Sequence, residues 1–383
     1  MRDPQYLSAL KGDVFVYKSL LAITFIAAIG SLTVGYLTTG LTLDEIDREW
    51  RIQSNSYLTY LWGLLTLVIY MLSLARLKTS RPYPWEFYYA YALSFTVAYQ
   101  VAGHVSPVHV INAIFFAIIF NLARGKVSSI PSVYVGALAF WVVAPVLADY
   151  LGFTFPRPLT WFDGFRGFAF DRVEYAFVAG LAFVLIILCR GFGGYVRIPL
   201  MLLIMYCMWL AQTRFVYVAA AIALFTFWGP NKKFLLLAIM LAAVFLAGVF
   251  FGEREEQFVS GRADIYSGYL IYLKENLWLL VFGAARFYQS FNDGSVPHNF
   301  ILQTILNWGL FGLLAWTLLI IKFWQMLGRK GKSILIYLYT YGLFHPGVDA
   351  FLIAPLTALA FVFATGLGGT NLVGTASEQN TKQ

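Results

Sequence analysis

Charge is the scarcest thing in this sequence. Asp, Glu, Lys and Arg make up 12% of its 383 residues, about half the roughly 25% usual in a soluble domain. With 60% hydrophobic residues and a mean hydropathy of +0.71, too little polar surface remains to face water. That excludes a soluble globular enzyme and leaves lipid as the solvent. Cysteine is nearly absent: Cys189 and Cys207 both fall inside apolar segments, so they read as buried packing thiols rather than a disulfide framework or metal site. The net charge of +8 comes with no basic patch of interleaved stacking aromatics, which argues against nucleic acid as a partner. The cations sit instead in short clusters between apolar runs, as membrane topology arranges them.

A helix needs about 20 apolar residues to cross the hydrocarbon, with a range of roughly 17 to 25. Twelve candidate spans lie near 19–40, 57–75, 86–104, 108–123, 132–152, 173–190, 198–212, 214–229, 234–252, 299–325, 333–345 and 350–367. The expected architecture is an all-α polytopic membrane protein, one transmembrane domain over residues 1–370 with a polar tail over 371–383. The first run starts near Ser19 after a polar leader and reaches spanning length, so it reads as an anchor and not as a cleaved signal peptide. With both termini in the cytoplasm, 17 of the 27 Lys and Arg residues but only four of the 19 acids face inward. Positive-inside insertion produces that bias.

Ten cations remain outside against the bias, and nine of them are arginine, among them Arg166, Arg214, Arg262 and Arg286. A guanidinium keeps its proton and presents a planar donor fork suited to phosphate. The four histidines, His104, His109, His298 and His345, also fall at or near outer span ends. Two outer loops exceed hairpin length, 153–172 and 253–298. In the longer one Ile265, Tyr269 and Leu273 recur at helical spacing, with Tyr266 and Leu270 on the same flank, which predicts an amphipathic helix lying on the bilayer. Any chemistry belongs to the outer face.

His298 and Asn299, followed by Gly309 and Gly312 inside an apolar helix, resemble the His-Asn motif of the O-antigen ligase and Wzy-type O-antigen polymerase superfamily. Three further segments agree in order. Gly261 and Arg262, with Tyr266 beyond, look like the family's Gly-Arg segment at the head of its large periplasmic loop; Thr213 and Arg214 are similar to its Thr-Arg turn; Arg166, Gly167 and Phe168, then Glu174, occupy the place of its Arg-x-x-Gly-x-Phe stretch. The matches run from about residue 160 to 315. Tyr266 stands where the family often has Trp, and Glu174 where Asn is common. The resemblance implies a GT-C-type glycosyltransferase of the bacterial inner membrane with its site facing the periplasm. Its reaction would be metal-independent, cofactor-free and inverting, and its donor an undecaprenyl-diphosphate-linked oligosaccharide. The resemblance also implies a polysaccharide co-polymerase, a chain-length regulator, as partner.

The residues suit that chemistry. Departure of a diphosphate leaves negative charge that fixed cations must meet, and the outer acids lack an Asp-x-Asp pair to hold a metal. Arg166, Arg214, Arg262 and Arg286 are available instead. A neutral imidazole, with an ordinary pKa of about 6.5, accepts a hydroxyl proton near neutral pH. His298 is the candidate base, and Asn299 would orient its ring or bind sugar. Tyr266, Glu174, His345 and Asp349 complete the candidate substrate contacts. Simpler accounts stand beside these: His298 as a helix cap, Arg214 as a snorkelling side chain, Arg262 as a lipid anchor, Arg166 and Arg286 as partners of neighbouring aromatics, His345 and Asp349 as a polar hairpin. Two functions compete with a polymerase, a ligase that uses lipid A core as acceptor and a transporter or flippase for lipid-linked sugars. The modest length of loop 253–298 favours polymerase, and charges kept at span ends favour surface chemistry over transport.

Overall fold

A chain without water around it must satisfy its amides within each segment, so its apolar runs become helices. The computed structural model describes residues 4–38, 61–69, 72, 130, 132–155, 159–161, 164–169, 172–189, 191–228, 255–283, 299–343 and 354–368. In chain order the helices are α1 (Pro4–Thr38), α2 (Ser132–Tyr150), α3 (Arg172–Leu188), α4 (Gly194–Leu210), α5 (Phe215–Phe227), α6 (Glu255–Glu275), α7 (Leu277–Phe282), α8 (Phe300–Met326), α9 (Arg329–Gly342) and α10 (Ala354–Gly368). Residues 61–69 are helical as well. Three stretches, Phe15–Val34, Ser132–Tyr150 and Trp308–Gln325, are long and apolar enough to cross a membrane; Gly194–Leu210, Phe215–Phe227 and Pro355–Leu367 are shorter apolar helices. The chain is a helical, membrane-associated protein. Of the expected spans, 86–104, 108–123 and 234–252 lie outside the described residues, as does the tail over 371–383.

Helix α9 packs between α5 and α10, α10 against α1, and α3 against α2, α4 and α5. Their shared core is apolar, yet tyrosines cross-link it. The Tyr17 hydroxyl donates to the Val362 carbonyl at 2.9 Å, Tyr175 to Val142 at 2.6 Å, Tyr337 to Phe177 at 2.7 Å, and Tyr341 to Val173. Each uses the second lone pair of a helical carbonyl, so a buried hydroxyl is satisfied without breaking the acceptor's helix. Close approach needs small residues. A Cβ on Gly180 of α3 would meet Tyr337 Oη at 2.3 Å and Val216 Cγ2 at 2.5 Å, so glycine there lets α5 and α9 close on α3.

Three features differ from the sequence-based expectation. First, the loop over 153–172 holds a minimal antiparallel ladder, β1 (Thr160–Trp161) with β2 (Gly164–Phe165), the only strands among the described residues. Second, the stripe Ile265, Tyr269 and Leu273 of α6 is turned onto α8, where Tyr269 and Leu273 form a separate small core with Leu306. Protein covers Tyr269 and Leu273, whereas Leu270 of the same flank is exposed, as is Ile271. Third, α8 is broken at Gly309, whose φ is +65° and ψ −171°. A Cβ there would lie 2.1 Å from the Val281 carbonyl oxygen. Glycine serves twice, adopting a left-handed φ and letting the backbone of α7 dock. The break falls at the start of the stretch Trp308–Gln325 and not in its middle.

Candidate functional site

Helices α3 and α4 are consecutive and packed on one another, so the start of α3 meets the end of α4, and several expected site residues cluster there. The Arg166 amide donates to the Leu159 carbonyl at 2.8 Å, and the Ala169 amide to the Arg166 carbonyl at 2.9 Å. These bonds curl residues 159–169 onto the end of the bundle. Gly167, at φ +53°, has no room for a Cβ, which would meet the Tyr175 ring at 2.6 Å. Phe165 also packs edge-on to Tyr175, centroids 5.3 Å apart. The loop is thereby pinned to the first turn of α3, and Arg166 is 1% exposed with its guanidinium 5.3 Å from the Tyr36 ring centroid. The stacking account of Arg166 is the geometry observed. A charge so buried keeps its place only where its surroundings compensate it.

Glu174 lies in the first turn of α3 and is buried. A carboxylate there is favoured by the exposed amides of a helix start. The neighbouring Val173 carbonyl receives the Tyr341 hydroxyl, and the Tyr341 ring packs edge-on to Phe215 at 5.0 Å. Phe215 directly follows Arg214, so the turn between α4 and α5 joins the same end of the bundle. That turn is strained. Gln212 has φ +51°, a conformation costing a side chain-bearing residue about 1–3 kcal/mol. Thr213, buried beside it, donates to the Ala211 carbonyl at 3.1 Å. Arg214 itself is half-buried at the head of α5.

Asn299 completes the group. Its backbone is extended, its Oδ1 accepts from the amides of Ile301 at 2.9 Å and Leu302 at 3.1 Å, and its Nδ2 donates to the Leu343 carbonyl at 3.2 Å. Oδ1 thus satisfies two of the four orphan amides at the start of α8. Nδ2 ties that start to the end of α9, two residues after Tyr341. The geometry engages Asn299 as cap and tie. Arg166, Glu174, Arg214 and Asn299 therefore gather at one end of the bundle through a continuous set of contacts.

Tyr266 and the backbone of Arg262 belong to α6, which reaches α8 through the small core of Tyr269, Leu273 and Leu306. Tyr266 is half-buried, and burial holds the neighbouring Tyr269 phenol above its ordinary pKa. His298, Arg286, His345 and Asp349 lie outside the described residues, as do His104 and His109. Among the described residues no three His, Cys, Asp or Glu side chains converge, and Cys189 and Cys207 are free and buried.

Two polar residues of this region escaped the sequence reading. Gln303 and Thr304, in the second turn of α8, are 4% and 3% exposed, and Gln303 Oε1 and Thr304 Oγ1 have no hydrogen-bond partner. An orphaned buried acceptor costs about 1–3 kcal/mol. Their one visible signal was polarity within an apolar run directly after the His-Asn pair. No protein-family model, curated protein or solved structure matches this chain.

Proposed function

We propose that the chain is a membrane glycosyltransferase that polymerises lipid-linked oligosaccharide units. The growing glycan moves from undecaprenyl diphosphate to a non-reducing-end hydroxyl of a second lipid-linked unit. In this reading His298 takes the proton of the attacking hydroxyl as the new bond to the anomeric carbon forms on the face opposite the leaving group. The anomeric carbon–oxygen bond to phosphate breaks, and undecaprenyl diphosphate departs with its charge met by Arg214 and Arg262, aided by Arg286. Arg166, Glu174, Tyr266, His345 and Asp349 would shape the substrate end of the bundle. In this reading both termini lie in the cytoplasm, as the charge bias favours, and the bacterial inner membrane and the periplasmic side of the reaction are what the family resemblance implies.

The observation that carries the reading is the double anchoring of Asn299. The residue covalently next to His298 is fixed by the cap of α8 and by the Leu343 carbonyl, at the same end of the bundle as Arg166, Glu174 and Arg214. A proton acceptor works only when held in place, and Asn299, the next residue in the chain, is the held one.

The test is conversion of purified undecaprenyl-diphosphate-linked repeat units by the full chain in nanodiscs. Longer glycan from repeat-unit lipid alone is expected, with His298→Ala and Arg262→Ala each lowering the rate at least about 100-fold while the protein stays folded. Wild-type rates in both variants would overturn the assignment. Turnover only after lipid A core is added would replace polymerase by ligase.

A further inference from the structure

Phe300, Gln303, Thr304 and Trp308 follow the i, i+3, i+4, i+8 spacing of one helical stripe. Phe300 and Trp308 belong to the main core, so the stripe is the bundle-facing side of α8. The opposite side, Leu302, Ile305 and Leu306, faces α6 and α7. Between two buried aromatics the bundle-facing stripe thus places two adjacent polar side chains, each more than nine-tenths buried, whose oxygens bond to nothing.

Thr304 is the telling one. A helix offers every threonine a carbonyl three or four residues back, and five others of this chain use it. Thr33, Thr66 and Thr317 donate to the fourth preceding carbonyl, and Thr226 and Thr365 to the third. Thr304 leaves that offer untaken. Gln303, one turn beyond Asn299, likewise leaves its carboxamide oxygen open.

We infer that Gln303 and Thr304 form a subsite for the sugar portion of a lipid-linked glycan, one turn along α8 from Asn299; the inference rests on the proposed glycosyl-transfer function. The chemistry selects the ligand class. A carboxamide oxygen only accepts, so its partner must bring a hydrogen. A sugar hydroxyl or acetamido N–H brings one. A fully ionised diphosphate brings none, and its natural complement is the donor-only guanidinium. The two kinds of group divide the substrate: arginines take the diphosphate, and the α8 pair takes the sugar.

Equilibrium binding to the full chain in nanodiscs tests this with two probes, undecaprenyl diphosphate carrying one N-acetylglucosamine and undecaprenyl diphosphate with no sugar. Gln303→Met and Thr304→Val should each weaken the sugar-bearing lipid, by about tenfold for Gln303→Met, and leave the bare lipid unchanged. The melting temperature of the unliganded protein should hold or rise, because each variant removes an orphaned oxygen. Unchanged affinity for the sugar-bearing lipid, equal losses for both lipids, or a fall in melting temperature would overturn the subsite. If the wild-type chain binds both lipids, such a result removes the subsite and leaves the glycosyl-transfer reading standing. A wild-type chain that binds neither lipid removes both.

Discussion

Four tyrosines of the main bundle and two polar residues of the first turns of α8 are buried in opposite ways. In the bundle, Tyr17, Tyr175, Tyr337 and Tyr341 each hand their hydroxyl to a carbonyl on another helix. Their polarity serves the fold. On α8, Gln303 and Thr304 are as deeply buried and make no such bond through Oε1 or Oγ1. Apolar bulk differs as well: the bundle has a continuous core, whereas α6 and α7 meet α8 through a small separate cluster around Tyr269, Leu273 and Leu306, the stacked rings of Phe282 and Phe311, and the close backbone approach at Gly309. Polar groups unused by the fold, on the bundle-facing side of a helix whose opposite side meets only a small core, are where binding is cheapest to build.

The strongest way to break this comparison is Gly309→Ala. A methyl group there meets the Val281 carbonyl and must adopt a left-handed φ, so a loss of roughly 2–5 kcal/mol is expected. The loss should be local. Tryptic cleavage at the exposed Lys274 should accelerate while the bundle's melting temperature moves little. Simultaneous melting of both regions would show that they form one cooperative unit.

A middle-sized effect belongs to Asn299, which joins the two regions. Asn299→Ala removes the cap and the tie to Leu343, costing about 1–3 kcal/mol in a denaturant titration in mixed micelles. Asn299→Asp keeps the accepting oxygen and loses only the donor to Leu343, so it should recover about half of that loss. Equal losses in both variants would assign the whole effect to the tie. The smallest effect sharpens the contrast in polarity. Tyr337→Phe should destabilise the bundle by about 0.5–1.5 kcal/mol, since its hydroxyl is spent on Phe177. If Tyr337→Phe costs no stability, the claim that bundle polarity serves the fold fails.

Much of this was legible in the chain because lipid imposes simple rules. Among the described residues helices stand on the apolar runs, and the 3.6-residue period of Ile265, Tyr269 and Leu273 falls within a helix, α6. Its partner was not legible. Apolar stripes have no address, and only packing turned this one onto Leu306. The clustering of Arg166, Glu174, Arg214 and Asn299 at one end followed from their places at span ends, but the means did not. The Tyr36 ring beneath Arg166 lies 130 residues away in the chain, and Asn299 reaches Leu343 across 44 residues.

By itself the amino-acid sequence determined the helical class and the apolar surface that suits a membrane, because each follows from local composition and from the cost of an unmet backbone amide in lipid. Tertiary structure alone decided where a helix breaks, which arginine is buried and which polar side chains go unbonded. Those outcomes depend on how closely two backbones approach, as α7 does at Gly309, and on whether a hydroxyl finds a carbonyl on another helix. Such distances are set by the whole packed assembly and by no single run of residues.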